Sequence, residues 1–264
     1  MPRTPVVTDG LVLELIGKYA KLGTVGGGPG NNTDPTNNWV STLPGVGGAA
    51  GYFTFTEGDG WRGNGSESDP YALEWDGPHP GEERYYWFTI TDYPAVYNSA
   101  SYSWEVWLWC DNFTTGWMNA IIDFGGYTIS GFRLGYNSSG MVYYWNSQNG
   151  GTLDTSSGYT AMKLNAWNHI VTTHNSGDNQ YYNYVNGTQD NIGTTGTYVV
   201  PSSGGYLVLS PSFGAGAHDG RFSTVRGYNR ALTPTEVAQN RNAGCHMSYL
   251  DNWKGLEVVR LVNG

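Results

Sequence analysis

Six side chains of this 264-residue chain have the chemistry of a sugar-binding platform: Trp117, Tyr143, Trp145, Asn146, Tyr181 and Tyr182. Aromatic rings stack on the apolar faces of sugars, and amides hydrogen-bond their hydroxyls. The competing use of the same rings is cross-strand packing, which claims half of every strand. Yet 11 Trp, 20 Tyr and 8 Phe exceed what one core needs, so aromatic surface should remain for a ligand or a partner. Catalytic patterns are weaker. Glycoside hydrolysis needs two carboxylates facing each other across a cleft, but Glu105 stands alone in its strand and Asp123 is solitary. His169 and His174 lie five apart and so point to opposite faces of a strand, and no Cys/His spacing suits zinc. There is no Gly-x-Ser-x-Gly elbow. The run Gly26–Gly30 lacks the Lys-Ser/Thr and the strand-to-helix context of a phosphate loop.

The bulk composition narrows the partners. Only 13% of residues are charged, and the net charge is −9 with 13 Lys plus Arg. Nucleic acid and anionic membrane surfaces both call for a cationic footprint, which is absent from the sequence. No apolar run approaches the length of a membrane span. The first ten residues have no apolar stretch fit for a signal peptide, so either secretion is not by the usual route or a leader lies outside this sequence. The two cysteines, Cys110 and Cys245, read as small buried hydrophobes more readily than as a bridge, though a bridge stays open.

The elements that must position these groups are short strands. Leu11–Ile16 is one. Gly23–Gly51 is then almost entirely Gly, Asn, Pro, Thr and Ser, an unusually long loop that points to a functional excursion or to ordering by something outside the chain. Strands are expected at Tyr52–Thr56, Tyr71–Trp75, Tyr85–Ile90, Ser103–Cys110, Trp117–Phe124, Gly131–Tyr136, Met141–Asn146, Trp167–His174, Tyr181–Asn186, Tyr206–Ser210 and Arg221–Tyr228. Ser103–Cys110 is apolar on both faces, as a central covered strand should be. Asn186-Gly187 is the preferred type I′ hairpin pair. One helix is expected, over 233–243. Thr233 is its N-cap, Pro234 its first residue and Glu236 the partner in a capping box, with Gly244 placed to stop it. About a dozen antiparallel strands with one late helix predict an all-β sandwich.

Several motifs carry a resemblance. Ala72-Leu-Glu-Trp-Asp-Gly77, Ser103–Trp109, Asn165-Ala-Trp-Asn-His-Ile-Val-Thr-Thr173, Tyr184-Val-Asn-Gly187 and Val225-Arg-Gly-Tyr-Asn-Arg-Ala-Leu-Thr-Pro-Thr-Glu236 are similar, in order and spacing, to the signatures of laminin-G-like, concanavalin-A-like jelly rolls. The resemblance implies a jelly roll at 70–244, preceded by an N-terminal strand and arm at 1–69 and followed by a C-terminal extension at 245–264. Within that extension Leu256–Val262 reads as a strand able to pair with this domain or with a neighbouring copy, giving a homo-oligomer. Many relatives hold one Ca²⁺ in rim loops, and Asp154, Asp178, Asn179 and Asp219 are the oxygen donors that could do so here. The alternative for these four is that they are ordinary turn residues. The Glu-x-Asp-x-x-Glu strand of sandwich-type glucanases does not occur. Where the family often has an acidic pair before Val-Arg, this chain has Ser223-Thr224.

Asp9-Gly-Leu-Val-Leu-Glu-Leu15 with its Gly/Asn-rich loop is similar to the leader of laminin-G-like domains in bacteriophage structural proteins. That similarity implies a non-catalytic virion protein, decorating a capsid or forming part of a tail. It would contact other virion subunits through residues 1–51 and 245–264 and adhere to cell-surface glycans. A free carbohydrate-binding lectin is the alternative, and a glycoside hydrolase the most distant reading.

Overall fold

The computed structural model describes residues 4–17, 41–43, 60–75, 86–88, 99–113, 119–124, 131–148, 151–194, 207–209, 216–248 and 251. At 75, 86–88, 124, 131, 145–148, 151–157, 191–194, 207, 208, 216 and 217 it describes the backbone alone. The first strands are β1 (Leu11–Ile16), β2 (Gly60–Arg62), β3 (Ala72–Trp75), β4 (Tyr86–Phe88) and β5 (Tyr102–Asn112). The middle of the chain forms β6 (Asn119–Phe124), β7 (Gly131–Tyr136), β8 (Met141–Gln148), β9 (Gly151–Ala161) and β10 (Ala166–Asn175). Then come β11 (Gln180–Val185), β12 (Thr188–Thr194), β13 (Leu207–Leu209), β14 (Gly216–Ala217), β15 (Asp219–Tyr228) and the helix α1 (Pro234–Ala243).

Two sheets stack face to face. The first runs β12-β11-β10-β5-β15-β3-β2, with β1 also on β15; the second runs β4-β13-β6-β7-β8-β9, with the short β14 parallel to β6. Strand β15 accommodates two neighbours on one edge by splitting its length. Residues 220–222 pair with β3, and residues 224–228 pair with β1. The other edge of β15 pairs with β5, which pairs in turn with β10. Strand β5 is therefore central, as its two-sided apolar content predicts.

Alternation along β5 sorts its side chains into two cores. Trp104, Val106 and Leu108 enter the space between the sheets, with Ile170, Phe222 and Val225 on their own sheet and Ile121, Leu134, Val142 and Tyr144 opposite. Glu105 points the other way, into a second buried layer. There Val171, Tyr184 and Tyr228 of the first sheet pack against Val7, Leu232 and Val237. Helix α1 covers this layer. Its capping box is complete: the Glu236 N–H donates to Thr233 Oγ1 at 3.3 Å, and the Thr233 N–H donates to Glu236 Oε2 at 2.8 Å.

A buried ionic hub joins the layer to both ends of the chain. Arg226 Nε donates to Glu14 Oε1 at 3.0 Å, its Nη1 donates to Glu105 Oε1 at 2.6 Å, and its Nη2 donates to the Met247 carbonyl. Glu105 also accepts from Asn240 of α1 at 2.7 Å and sits 3.2 Å from His169 Nε2. Ser223 and Thr224 both donate to the Cys245 carbonyl, at 3.0 and 2.6 Å. The two hydroxyls that stand in place of an acidic pair thus anchor the segment after the helix. The expected N-terminal unit at 1–69 contributes β1 and β2 to the sheet itself, and Thr42 hydrogen-bonds Glu14 at 2.6 Å.

Four strands escape the sequence patterns: β2, the two-residue β14, β9 and β12. The last two are polar edge strands, Gly-Thr-Leu-Asp-Thr-Ser-Ser-Gly-Tyr-Thr-Ala and Thr-Gln-Asp-Asn-Ile-Gly-Thr, with little apolar alternation to find. The expected strands at Tyr52–Thr56 and Leu256–Val262 lie outside the described residues. Both cysteines are buried free thiols.

Candidate functional site

A groove of about 510 Å³ lies on the outer face of the first sheet, beside the start of α1. Strand alternation builds one wall. On β10, Ile170 and His174 face the inter-sheet core, so Thr173 and Asn175 face out. On β11, Tyr181 and Val185 face in, so Tyr182 and Tyr184 face out. Gln189 of β12 stands opposite Tyr184 in register. The Asn186-Gly187 turn sets that register, with φ of 53° and 79° at its two central residues, as a type I′ turn requires. The other wall is the stretch Arg230–Pro234 between β15 and α1, and Ser101 closes one end.

The chemistry inside is mixed. Tyr184 and Leu232 are buried and form an apolar floor with Ala231 and Pro234. Tyr182 is partly exposed. Its hydroxyl donates to Asp178 Oδ2 at 2.6 Å, which fixes the ring, and this bond to a carboxylate raises the phenol above its usual range. Asn175 lines the groove, and its Oδ1 accepts from the Gly177 N–H at 3.0 Å. Gln189 is exposed and lines the groove. One ring face, two amides and the hydroxyls of Thr173 and Ser101 make a surface suited to a ligand that is apolar on one side and hydroxylated at its edge.

Of the six residues expected to bind a sugar, the structure brings only Tyr182 to this groove. Tyr181 must be corrected. It is 1% exposed and packs between the sheets, where its hydroxyl meets Tyr102 at 2.9 Å and its ring lies 4.2 Å from Tyr144. Adjacent strand residues point to opposite faces, so Tyr181 and Tyr182 cannot share a ligand. Tyr143 lies on the outer face of the second sheet, where Asn137 Nδ2 donates to its hydroxyl at 3.4 Å. Trp145 and Asn146 belong to the same strand, opposite Arg133 and Phe132 in register, with the backbone alone described. Trp117 lies outside the described residues. The six therefore do not form one site. Sequence reasoning missed Asn175 and Gln189: Asn175 follows the end of the expected strand Trp167–His174, Gln189 lies on β12, which has no apolar period, and their meeting across two hairpins is set by tertiary pairing.

The calcium donors do not converge either. Asp178 and Asn179 sit in the β10–β11 turn, whereas Asp219 pairs with Asn112 at the far end of β5. Strand β5 spans roughly 33 Å at 3.3 Å per residue, and the turn lies beyond its other end. Asp154 stands opposite Asn146 in the other sheet. The Asp178 oxygens accept from the Gln180 N–H at 3.1 Å and from Tyr182, and Asn179 Oδ1 faces His174 Nε2 at 3.4 Å. A calcium ion takes six to eight oxygens, and these four residues do not fit a single cage. Among the described residues no three His, Cys, Asp or Glu side chains group as metal ligands.

The two lone carboxylates are each held by an arginine. Burial alone would raise Glu105, but Arg226 overrides it and holds the carboxyl down at about 2. Glu105 is therefore no proton donor near neutral pH. Arg133 donates to Asp123 at 2.9 Å from Nε, with both side chains buried. Among the described residues no helix is long and apolar enough to cross a membrane.

Two stacked antiparallel sheets, a capped closing helix and a lateral groove define a lectin-like β-sandwich. A profile of the concanavalin A-like lectin/glucanases superfamily matches residues 82–238, and the chain belongs to that superfamily. Among solved structures it is similar to domain 4 of AbnA, an extracellular arabinanase from Geobacillus stearothermophilus, in complex with arabinotriose. Identity is 14% and the TM-score 0.57, over 88% of this chain and 98% of that one. It is also similar to the binding domain of botulinum neurotoxin serotype D/C, at 14% identity and a TM-score of 0.60 over 89% of this chain and 52% of that one. The neurotoxin DC binding domain in complex with rat synaptotagmin II gives 14% identity and a TM-score of 0.58, over 89% of this chain and 51% of that one. The chain thus spans about half the length of the neurotoxin chains, and at this identity the likeness is one of fold. No curated protein matches the chain.

Proposed function

We propose that this protein is a non-catalytic carbohydrate-binding domain and that the groove beside Tyr182 receives the saccharide. The observation that carries the reading is Tyr182 itself: a partly exposed ring, locked by Asp178, at the edge of a groove where Asn175 and Gln189 offer amides. A sugar stacks its C–H face on such a ring and hydrogen-bonds its hydroxyls to such amides. Superfamily membership supports the ligand class, and the engaged states of Glu105 and Asp123 support binding without hydrolysis.

The test is a glycan array followed by calorimetric titration of the best ligand. Tyr182→Ala should weaken binding about tenfold, the effect of losing about 1.4 kcal/mol. Tyr143→Ala, on the outer face of the opposite sheet, should leave it unchanged. Equal losses in both variants, with both still folded by circular dichroism, would place the ligand elsewhere.

We infer a setting as well: a bacteriophage virion, with the domain displayed on the particle surface as a capsid decoration or tail component. The similarity of Asp9–Leu15 to leaders of phage structural proteins supports it, as does an acidic chain of net charge −9. Attachment through residues 1–51 and 245–264 would have to use what β1 and the Glu14, Cys245 and Ser248 contacts leave over. Mass spectrometry and immunogold labelling of purified particles decide the matter. A chain missing from particles and active as a free monomer is a stand-alone lectin.

A further inference from the structure

We infer that the Tyr182 groove selects neutral saccharides and rejects those ending in a carboxylate or sulfate; this rests on the saccharide reading above. Every positive feature of the groove is already taken by the protein's own acids. Among the described lining residues Arg230 is the one cation. Its Nε lies 2.8 Å from Asp9 Oδ2, its Nη1 donates to Glu236 Oε2 at 2.9 Å, and its Nη2 donates to Glu236 Oε1 at 2.6 Å. This bidentate fork is the geometry with which arginine would otherwise grip a ligand carboxylate. Nε also reaches the Asp9 carbonyl and Nη1 the Ala231 carbonyl, so little of the guanidinium is left to donate.

The start of α1, which forms one lip of the groove, is closed to anions in the same way. A helix N-terminus attracts anions through its unsatisfied N–H groups. Here Thr233 Oγ1 accepts the Glu236 N–H, and the Glu236 carboxylate lies over the first turn and accepts the Thr233 N–H. Arg230 keeps that carboxylate ionised down to about pH 2. Across the groove stands a third acid, Asp178, exposed and bonded to the Tyr182 hydroxyl. Asp9 and Glu236 hold Arg230 from outside the lining and Asp178 adds a further carboxylate, while Arg241 lies against Gly187 outside the lining; an acidic sugar would meet carboxylates at the groove's margin and no free donor fork within it. A neutral sugar needs only the Tyr182 ring and the Asn175 and Gln189 amides.

The experiment titrates the full chain with matched pairs: lactose against sialyllactose, and a xylo-oligosaccharide against its glucuronate-substituted form. Each pair is measured at low and at high salt. The neutral member should bind with a Kd that does not move with salt. The acidic member should bind about tenfold more weakly at low salt, which corresponds to about 1.4 kcal/mol, and the gap should close at high salt as screening sets in. Asp178→Asn, whose amide oxygen can still accept the Tyr182 hydroxyl, should narrow the gap at low salt. Tighter binding of the acidic member at low salt, lost with salt and lost in Tyr182→Ala, overturns the neutral selection and leaves the groove a saccharide site. Binding of no pair member, or a Kd unmoved by Tyr182→Ala, overturns the saccharide reading itself.

Discussion

Arg226 Nη1 and Glu105 Oε1 meet at 2.6 Å on the outer side of the first sheet, and neither side chain touches solvent. The pair stands where β5, β15, β1 and α1 come together, because Arg226 also holds Glu14 and Glu105 also holds Asn240. Isolated charges in such a place would each cost several kcal/mol. The arrangement persists because all three Arg226 nitrogens donate and both Glu105 oxygens accept.

Breaking this hub from one side should be severe. Glu105→Gln leaves Arg226 with a single carboxylate in a dry layer and is expected to cost about 3–5 kcal/mol. Denaturant unfolding measures it through the midpoint at constant slope. A loss under about 1 kcal/mol would mean that water reaches the hub.

Acid should act through the same residue. Glu105 titrates at about 2 in the folded protein against 4.5 as its ordinary value, so its contribution is full above 4.5 and fades as pH falls toward 2. The gap corresponds to about 3 kcal/mol by linkage. The Tm should therefore fall steeply between about pH 4.5 and 2.5, and the slope should flatten in a folded Glu105→Gln variant.

Removal of residues 1–16 is expected to unfold the domain rather than merely strip it of an arm. Strand β1 pairs with β15 over Leu11–Ile16, Val6 and Val7 are buried, and Glu14 is one of the carboxylates facing Arg226. Loss of the cooperative thermal transition in the truncated chain is the expected outcome. A native-like transition would show that β1 is dispensable.

Both thiols should be silent until the chain unfolds. Burial pushes Cys110 up to about 11 and Cys245 up to about 12, so neither supplies thiolate near neutral pH. Ellman's reagent should report no fast thiol in buffer and two in denaturant without reductant. Fewer than two in denaturant would indicate a bridge.

Much of the fold was legible because its local signals are strong. The capping box of α1, the Asn186-Gly187 turn and the two-faced apolar content of β5 each follow from a few adjacent residues, and each took the form they predict. Strands β9 and β12 were not legible, since an edge strand with few apolar residues has no period to detect. The candidate site lay between these cases. Tyr182 was readable as an aromatic suited to a sugar. Tyr181 beside it looked equivalent and is not, because a period of two sends the neighbours to opposite faces and only packing reveals which face is covered.

By itself, then, the chain specified an antiparallel sandwich, its one helix and a surplus of aromatic residues. These depend on propensity, turn chemistry and caps, which act over a few residues at a time. The tertiary structure decided which aromatics stay exposed and that Asn175, Tyr182, Gln189 and Arg230 share one groove. It also decided that Glu14, Glu105 and Arg226, up to 212 positions apart, form one hub. Such meetings are set by register and by sheet stacking between segments distant in sequence, and no local pattern encodes them.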